Sequence, residues 1–306
     1  MNNERLKVAL GYILICLIWG STWIVIKIGL ETMTPMFAVG LRFLIAAGVL
    51  YAIIKFKNLI IDLNPISVRL YLFLGIFSYI IPFSLVYWAE QFVPTGLTSV
   101  LFAVFPFWVI LFSRIALPKG SIGIFKVIGV GLGFIGITII FWNDISFDFE
   151  DQTLGMLAVI LSAIMQAFVI VIVKKYGKEL HPISMNFYPL LITGVILIPV
   201  ALVLEDSTRL TYSHEALFSI LYLSTIGSVV AFTVYYWLLK RINAVILSLS
   251  SFITPIAAII LGWIILDERL NFNHFIGSSL VLIGILFANF KGFLNYYKET
   301  HRTRNV

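Results

Sequence analysis

Apolar runs of about twenty residues recur along almost the whole of this 306-residue chain, and each is long enough as a helix to cross a hydrocarbon core of about 30 Å. The chain is 60% hydrophobic and 12% charged, whereas a soluble domain carries about 25% charged residues. Water is therefore not its main solvent, and the sequence reads as an all-α, multi-pass membrane protein. Arg5 and Lys7 precede the first run in the manner of a signal peptide. The run continues through "WGSTWIVIKIGL" with no small-residue cleavage site, so it reads as a retained span. Cys16, the single cysteine, lies inside that span, and no intrachain disulfide is possible.

Breaks rich in charge, proline or asparagine divide the chain into ten expected spans, near 7–29, 36–54, 70–88, 95–113, 124–142, 154–173, 183–204, 216–238, 243–265 and 271–290. Lys and Arg mark cytoplasmic loops. With the amino terminus inside, seventeen basic residues fall on that side: Arg5, Lys7, Lys55, Lys57, Arg69, Arg114, Lys119, Lys126, Lys174, Lys175, Lys178, Lys240, Arg241, Lys291, Lys298, Arg302 and Arg304. Only Arg209 and Arg269 fall outside, and Asp144, Asp148, Glu150 and Asp151 gather in one expected outer connection. Both termini are expected in the cytoplasm. Basic residues spread over six short segments do not make the single patch that nucleic acid requires.

The two halves resemble each other. "YWAEQFVPTGLTSVLFAVFPF" (87–107) aligns without a gap to "YWLLKRINAVILSLSSFITPI" (236–256), pairing Tyr87 with Tyr236 and Pro106 with Pro255, and "GFIGI" (133–137) then matches "VLIGI" (281–285) after a shift of one. Five spans per half is an odd number, so the second half is expected upside down relative to the first. Residues 7–142 and 153–290 form two inverted five-helix repeats, followed by a basic cytoplasmic tail, 291–306. Inverted repeats of this kind belong to carriers, with the substrate site near the midplane between the halves.

"WGSTWIVIK" (19–27), Pro35, "LRFLIAAGVL" (41–50), a proline in the fourth span and "GWIILDERLNFNHFIGSSLVLIGI" (262–285) together resemble the EamA branch of the drug/metabolite transporter superfamily. The resemblance covers nearly the whole chain. It implies a secondary transporter of small metabolites, commonly an exporter of amino acids or related compounds, in a bacterial inner membrane. The chain departs from internal symmetry where Glu268 follows the ninth span but Leu117, Pro118 and Lys119 follow the fourth. Glu268 reads as a charge at the start of the last helix or as a substrate contact.

By this reading no carboxylate lies within a span, all four histidines fall in connections, near a helix end or in the tail, and no metal-ligand set or catalytic pair converges. An enzyme is not expected, nor a metal or cofactor. Glu31 and Glu90 stand at the outer ends of the first and third spans. Arg42 lies about 9 Å inside the second, counting from Met36 at about 1.5 Å per residue. An intramembrane guanidinium serves a substrate, pairs with Glu31 or Glu90, or snorkels to the headgroups. Trp19, Trp23 and Lys27 share a helix face, at i, i+4 and i+8.

The expected substrate-binding set is Trp19, Trp23, Arg42, Tyr79, Gln166, Asn186, Ser228 and Ser251, with Ser78, Tyr87, Tyr235, Ser248 and Phe252 as further polar or aromatic candidates. Such residues also serve as interfacial anchors or bridges between helices. Pro106 and Pro255 are expected to kink the fourth and ninth spans at equivalent places, as gates or as static packing. Gly129, Gly133 and Gly136, echoed by Gly277 and Gly284, allow close helix approach and assign spans five and ten to a scaffold or a homodimer face. Alternating-access export of amino acids leads. Uptake of a cofactor or nucleoside-like compound, and a non-transporting scaffold, are the alternatives.

Overall fold

The structure, a computed structural model, describes residues 3–116, 123–140, 151–265 and most of 272–290, apart from isolated positions 60, 62, 94, 178, 207, 209, 212, 274, 278, 285 and 289. The acidic connection 144–150, Glu268 and the tail lie outside them. The described residues are helical with no strand. The helices are α1 (Asn3–Leu30), α2 (Pro35–Phe56), α3 (Pro65–Leu74), α4 (Ile81–Ala89), α5 (Thr95–Phe102), α6 (Phe105–Ala116), α7 (Ile124–Ile140), α8 (Asp151–Tyr176), α9 (Ser184–Leu204), α10 (His214–Ser224), α11 (Ala231–Arg241), α12 (Ala244–Ser248) and α13 (Ser250–Ile265). A last apolar helix, α14, covers Phe275–Ala288.

Among the described residues, six helical stretches have the length and composition to cross a membrane: Glu4–Leu30, Pro35–Phe56, Pro65–Ala89, Asp151–Tyr176, Ser184–Leu204 and His214–Arg241. Shorter apolar helices, Phe105–Ala116, Ile124–Gly136, Ala244–Ala257 and Phe275–Ala288, overlap the remaining apolar runs in part.

Helix starts follow local chemistry. Asn64, Ser213 and Asn243 cap α3, α10 and α12 by accepting from the backbone N–H of Ser67, Ala216 and Val245, and proline opens α2 and α3, where a missing N–H costs nothing. The side chain of Thr34 does not cap α2. The Glu205 carboxylate, at the end of α9, does so instead, accepting from Met36 N at 2.8 Å and Phe37 N at 3.1 Å. Glu205→Ala is expected to cost about 1 kcal/mol, read as a lower melting temperature, as for loss of other caps.

Two helices pass through a π-helical turn, Gly75–Ile80 between α3 and α4 and Thr225–Val230 between α10 and α11. The Ser228 hydroxyl donates to the Leu223 carbonyl five residues back, at 2.8 Å, which suits the wider turn. The fourth and ninth apolar runs are broken helices. Pro106 stands in the first turn of α6, just after the break at Ala103–Val104. Pro255 lies inside continuous α13, and the break in this run comes earlier, at Leu249. The serine run explains this. The hydroxyls of Ser248, Ser250 and Ser251 donate to the carbonyls three residues back, competing with the helical ladder, while the Thr254 hydroxyl takes the Ser251 carbonyl that Pro255 leaves free.

Close approaches set the bundle. A Cβ on Gly194 of α9 would lie 2.9 Å from the backbone of Leu44 on α2, and one on Gly20 of α1 would collide with Ala257 of α13. The glycine stripes of α7 and α14 face each other: a Cβ on Gly284 would lie 2.5 Å from the Gly129 carbonyl, and one on Gly136 2.5 Å from that of Gly277. These glycines let α7 and α14 approach closely within one chain. Phe252 fills the space over Gly133 and is core rather than cavity wall.

One end of the bundle is basic. Glu4 meets Lys7 and lies 3.9 Å from Arg241, and the Lys174 ammonium donates to the carbonyls of Leu239 and Ile242. Partial desolvation, then the charges of Lys240 and Lys57, push the His181 imidazole below its ordinary value. At another connection, Thr211 N donates to the Thr32 carbonyl at 3.0 Å, tying the α1–α2 and α9–α10 loops together.

Candidate functional site

A cavity of about 120 Å³ lies among α1, α2, α4, α5, α6, α8, α11 and α13, with the first π turn in its wall. One water needs roughly 10–15 Å³ of such space, so a small organic molecule fits. Of the eight expected binding residues, Trp19, Trp23, Arg42, Tyr79, Gln166 and Ser251 line it. Asn186 and Ser228 do not. Both are fully buried one layer back, Asn186 accepting from the Tyr79 hydroxyl at 3.0 Å and Ser228 from the Arg42 Nε at 2.9 Å.

Among the described residues, Arg42 is the only charged one in the lining. It is 2% exposed, and its guanidinium donates also to the Tyr87 hydroxyl at 3.0 Å and to the Gly227 carbonyl at 3.4 Å. Its central carbon lies 5.1 Å from the Phe43 ring centre and 5.2 Å from that of Phe83. The ion pair expected as one alternative, with Glu31 or Glu90, does not form, and snorkelling is excluded by burial. Among the described residues every hydrogen-bonding partner is neutral, so the charge is oriented there without being neutralised. In a low-dielectric interior such a charge is costly and attracts an anion.

Aromatic rings make most of the wall. Trp19 lies 5.0 Å from Tyr235 and 5.9 Å from Phe232 between ring centres, and Trp23 lies 5.9 Å from Phe102. The Gln166 side chain has no hydrogen-bond partner among the described residues and faces the cavity. The Ser251 and Thr254 hydroxyls donate to carbonyls of their own helix region. Lys27 is exposed at the end of α1, donating to the Glu90 carbonyl at 2.7 Å.

Sequence reasoning missed Phe83, Phe232 and Tyr236 as cavity residues, because they read as ordinary apolar helix. Tyr236 lines this cavity and also a second one of about 150 Å³ beside Lys174 and Lys240. Its hydroxyl lies 3.4 Å from that of Tyr79. Tyr236→Ala is expected to join the two spaces and make the protein leaky to small polar solutes, measured as dye release from proteoliposomes, while Tyr236→Phe stays tight.

The sequence model of the EamA-like transporter family matches residues 6–142 and 153–290. The chain is 27% identical over 284 residues to the uncharacterized transporter YoaV of Bacillus subtilis, covering 93% of this chain and 97% of that protein. It is 29% identical to protein PagO of Salmonella typhimurium, covering 92% of each. The uncharacterized inner membrane transporter YedA of Escherichia coli is 24% identical, with 91% of this chain and 89% of that protein covered. A solved crystal structure superposes with a TM-score of 0.79 at 17% identity, over 92% of this chain and 96% of its own, which speaks for the fold alone. With both matched segments together spanning nearly the whole sequence, the chain belongs to the EamA-like transporter family, within the drug/metabolite transporter superfamily, and is a multi-pass membrane transporter.

Proposed function

We propose that the chain is a secondary carrier for small metabolites bearing an acidic group, foremost amino acids or related compounds, which it exports across the bacterial inner membrane by alternating access. Buried Arg42 carries this reading: a cavity whose one charge is positive and lacks a carboxylate partner among the described residues suits a substrate carboxylate, held by a planar fork of donors. The aromatic walls favour a second reading, uptake of a nucleoside-like compound or cofactor that stacks on them.

A thermal-shift panel of amino acids, their amides, nucleosides, sugars and vitamins separates the two. At about a hundred times Kd, a ligand stabilises the folded state by about 2.7 kcal/mol. Free amino acids are expected to raise the melting temperature and their amides not to. A shift with uncharged nucleosides alone would replace the first reading by the second.

We further read the ten apolar runs as ten spans in two inverted repeats. Paired contacts support this. α1 packs on α10, α11 and α13, and its counterpart α8 packs on α4 and α6. The contact of Gly129 with Gly284 has its image in that of Gly277 with Gly136. The two π turns also stand at corresponding places. The basic end of the bundle is taken as cytoplasmic, with both termini there. In whole cells, a cysteine replacing exposed Glu31 is expected to react with an impermeant thiol reagent, and one replacing exposed Lys57 is not. The reverse pattern would invert the orientation. Native Cys16 is buried and gives little background.

A further inference from the structure

Glu90 follows the last residue of α4 and is 0% exposed. Neither carboxyl oxygen has a hydrogen-bond partner in the structure. An ionised carboxylate buried in this way is costly, and it avoids much of the cost by holding a proton. Three residues earlier, in the last turn of α4, Tyr87 bonds Arg42 at 3.0 Å, and its hydroxyl lies within electrostatic reach of both Arg42 and Glu90. The groups around Glu90 are few. Lys27 of α1 donates to its backbone carbonyl rather than to its carboxyl oxygens, and its charge nonetheless acts on the carboxyl against the cost of burial. Arg42 of α2 stands behind Tyr87. On α8, which packs along α4, Gly155 and Ala158 face this region, and Asp151 is exposed.

We propose that Glu90 is a proton-binding site linked through Tyr87 to Arg42, so that an acidic substrate group on Arg42 and a proton on Glu90 bind together. The sign follows from charge. An empty Arg42 favours ionised Glu90, whereas an anion on Arg42 cancels that attraction and favours the protonated acid, and the linkage is reciprocal. A carrier that loads both moves one proton with each substrate, so export runs only where the outward gradient of the substrate outweighs the inward gradient of protons. This rests on the transport of acidic compounds proposed above.

Two measurements test it. Infrared spectra of the purified protein at neutral pH are expected to show the carbonyl stretch of a protonated carboxylic acid, which Glu90→Gln removes and Tyr87→Phe leaves. Absence of that band from the wild type would overturn the proposal. In proteoliposomes loaded with a pH-sensitive dye, inward flux of the amino acids of the panel is expected to acidify the lumen, and in Glu90→Gln whatever flux remains is expected to carry no acidification per substrate moved. Wild-type flux with a silent dye, accumulation driven by sodium instead, or acidification retained in Glu90→Gln would each overturn it. A wild type that moves no compound of the panel, with the infrared band intact, would overturn the transport reading itself and the coupling with it.

Discussion

Arg42→Gln is expected to abolish most transport while leaving the protein folded and inserted. Losing two charge-assisted hydrogen bonds to a substrate carboxylate removes about 3 kcal/mol, roughly a hundredfold in affinity. Stability should move the other way or not at all, because Arg42 has neutral partners and removing it leaves no carboxylate stranded. The amide of Gln still reaches toward Ser228 or Tyr87. Arg42→Lys restores the charge without the fork and is expected to recover part of the flux. Flux and melting temperature measured on the same purified variants decide the matter. Wild-type flux in a stable Arg42→Gln protein would remove this residue from the mechanism.

Gly129→Val is expected to cost on the order of 3 kcal/mol and most of the folded yield, since overpacking against a part that cannot move is among the more damaging core changes. Its Cβ would meet the Gly284 carbonyl and lie 2.6 Å from the Ala288 N, both backbone atoms of α14. Gly131→Val, two residues away on the same helix, is the control, because nothing lies within 4 Å of a Cβ there. Denaturant titration of the two variants in detergent should separate them clearly. Equal loss in both would show that helix propensity, not contact with α14, governs this helix.

Much of the architecture was legible because hydropathy reports the solvent directly. A run such as 154–173 has to be buried in protein or lipid, and it falls within α8. The identity of cavity residues was legible where a polar or amphipathic side chain interrupts such a run, as at Arg42, Gln166 and Trp19. Depth within the wall was not. Asn186 and Ser228 carry the same chemical signature as lining residues, and only the packing of Tyr79 and Arg42 in front of them decides that they brace rather than face the space. Helix breaks were also hard to read. Proline is a conspicuous signal, but at Pro255 a neighbouring threonine repairs the lost bond, and the break comes instead from serines that each look harmless alone. The charge partner of Arg42 was open in sequence because separation along the chain says little about which carboxylate folds nearby.

The π turns give the two long helices that contain them a consequence for change over time. Each turn holds one residue more than an α-helix would, and one residue corresponds to about 100° of rotation about the axis. The stretches on either side of it are therefore set in different phase, like two dials on one shaft joined by an offset coupling. Removing a single residue from 75–80 would swing α4 by that angle relative to α3 and carry Tyr87 away from Arg42, although no side chain had been altered. Single-residue deletions in these two turns are thus a route by which a carrier of this shape acquires a differently lined cavity in one step.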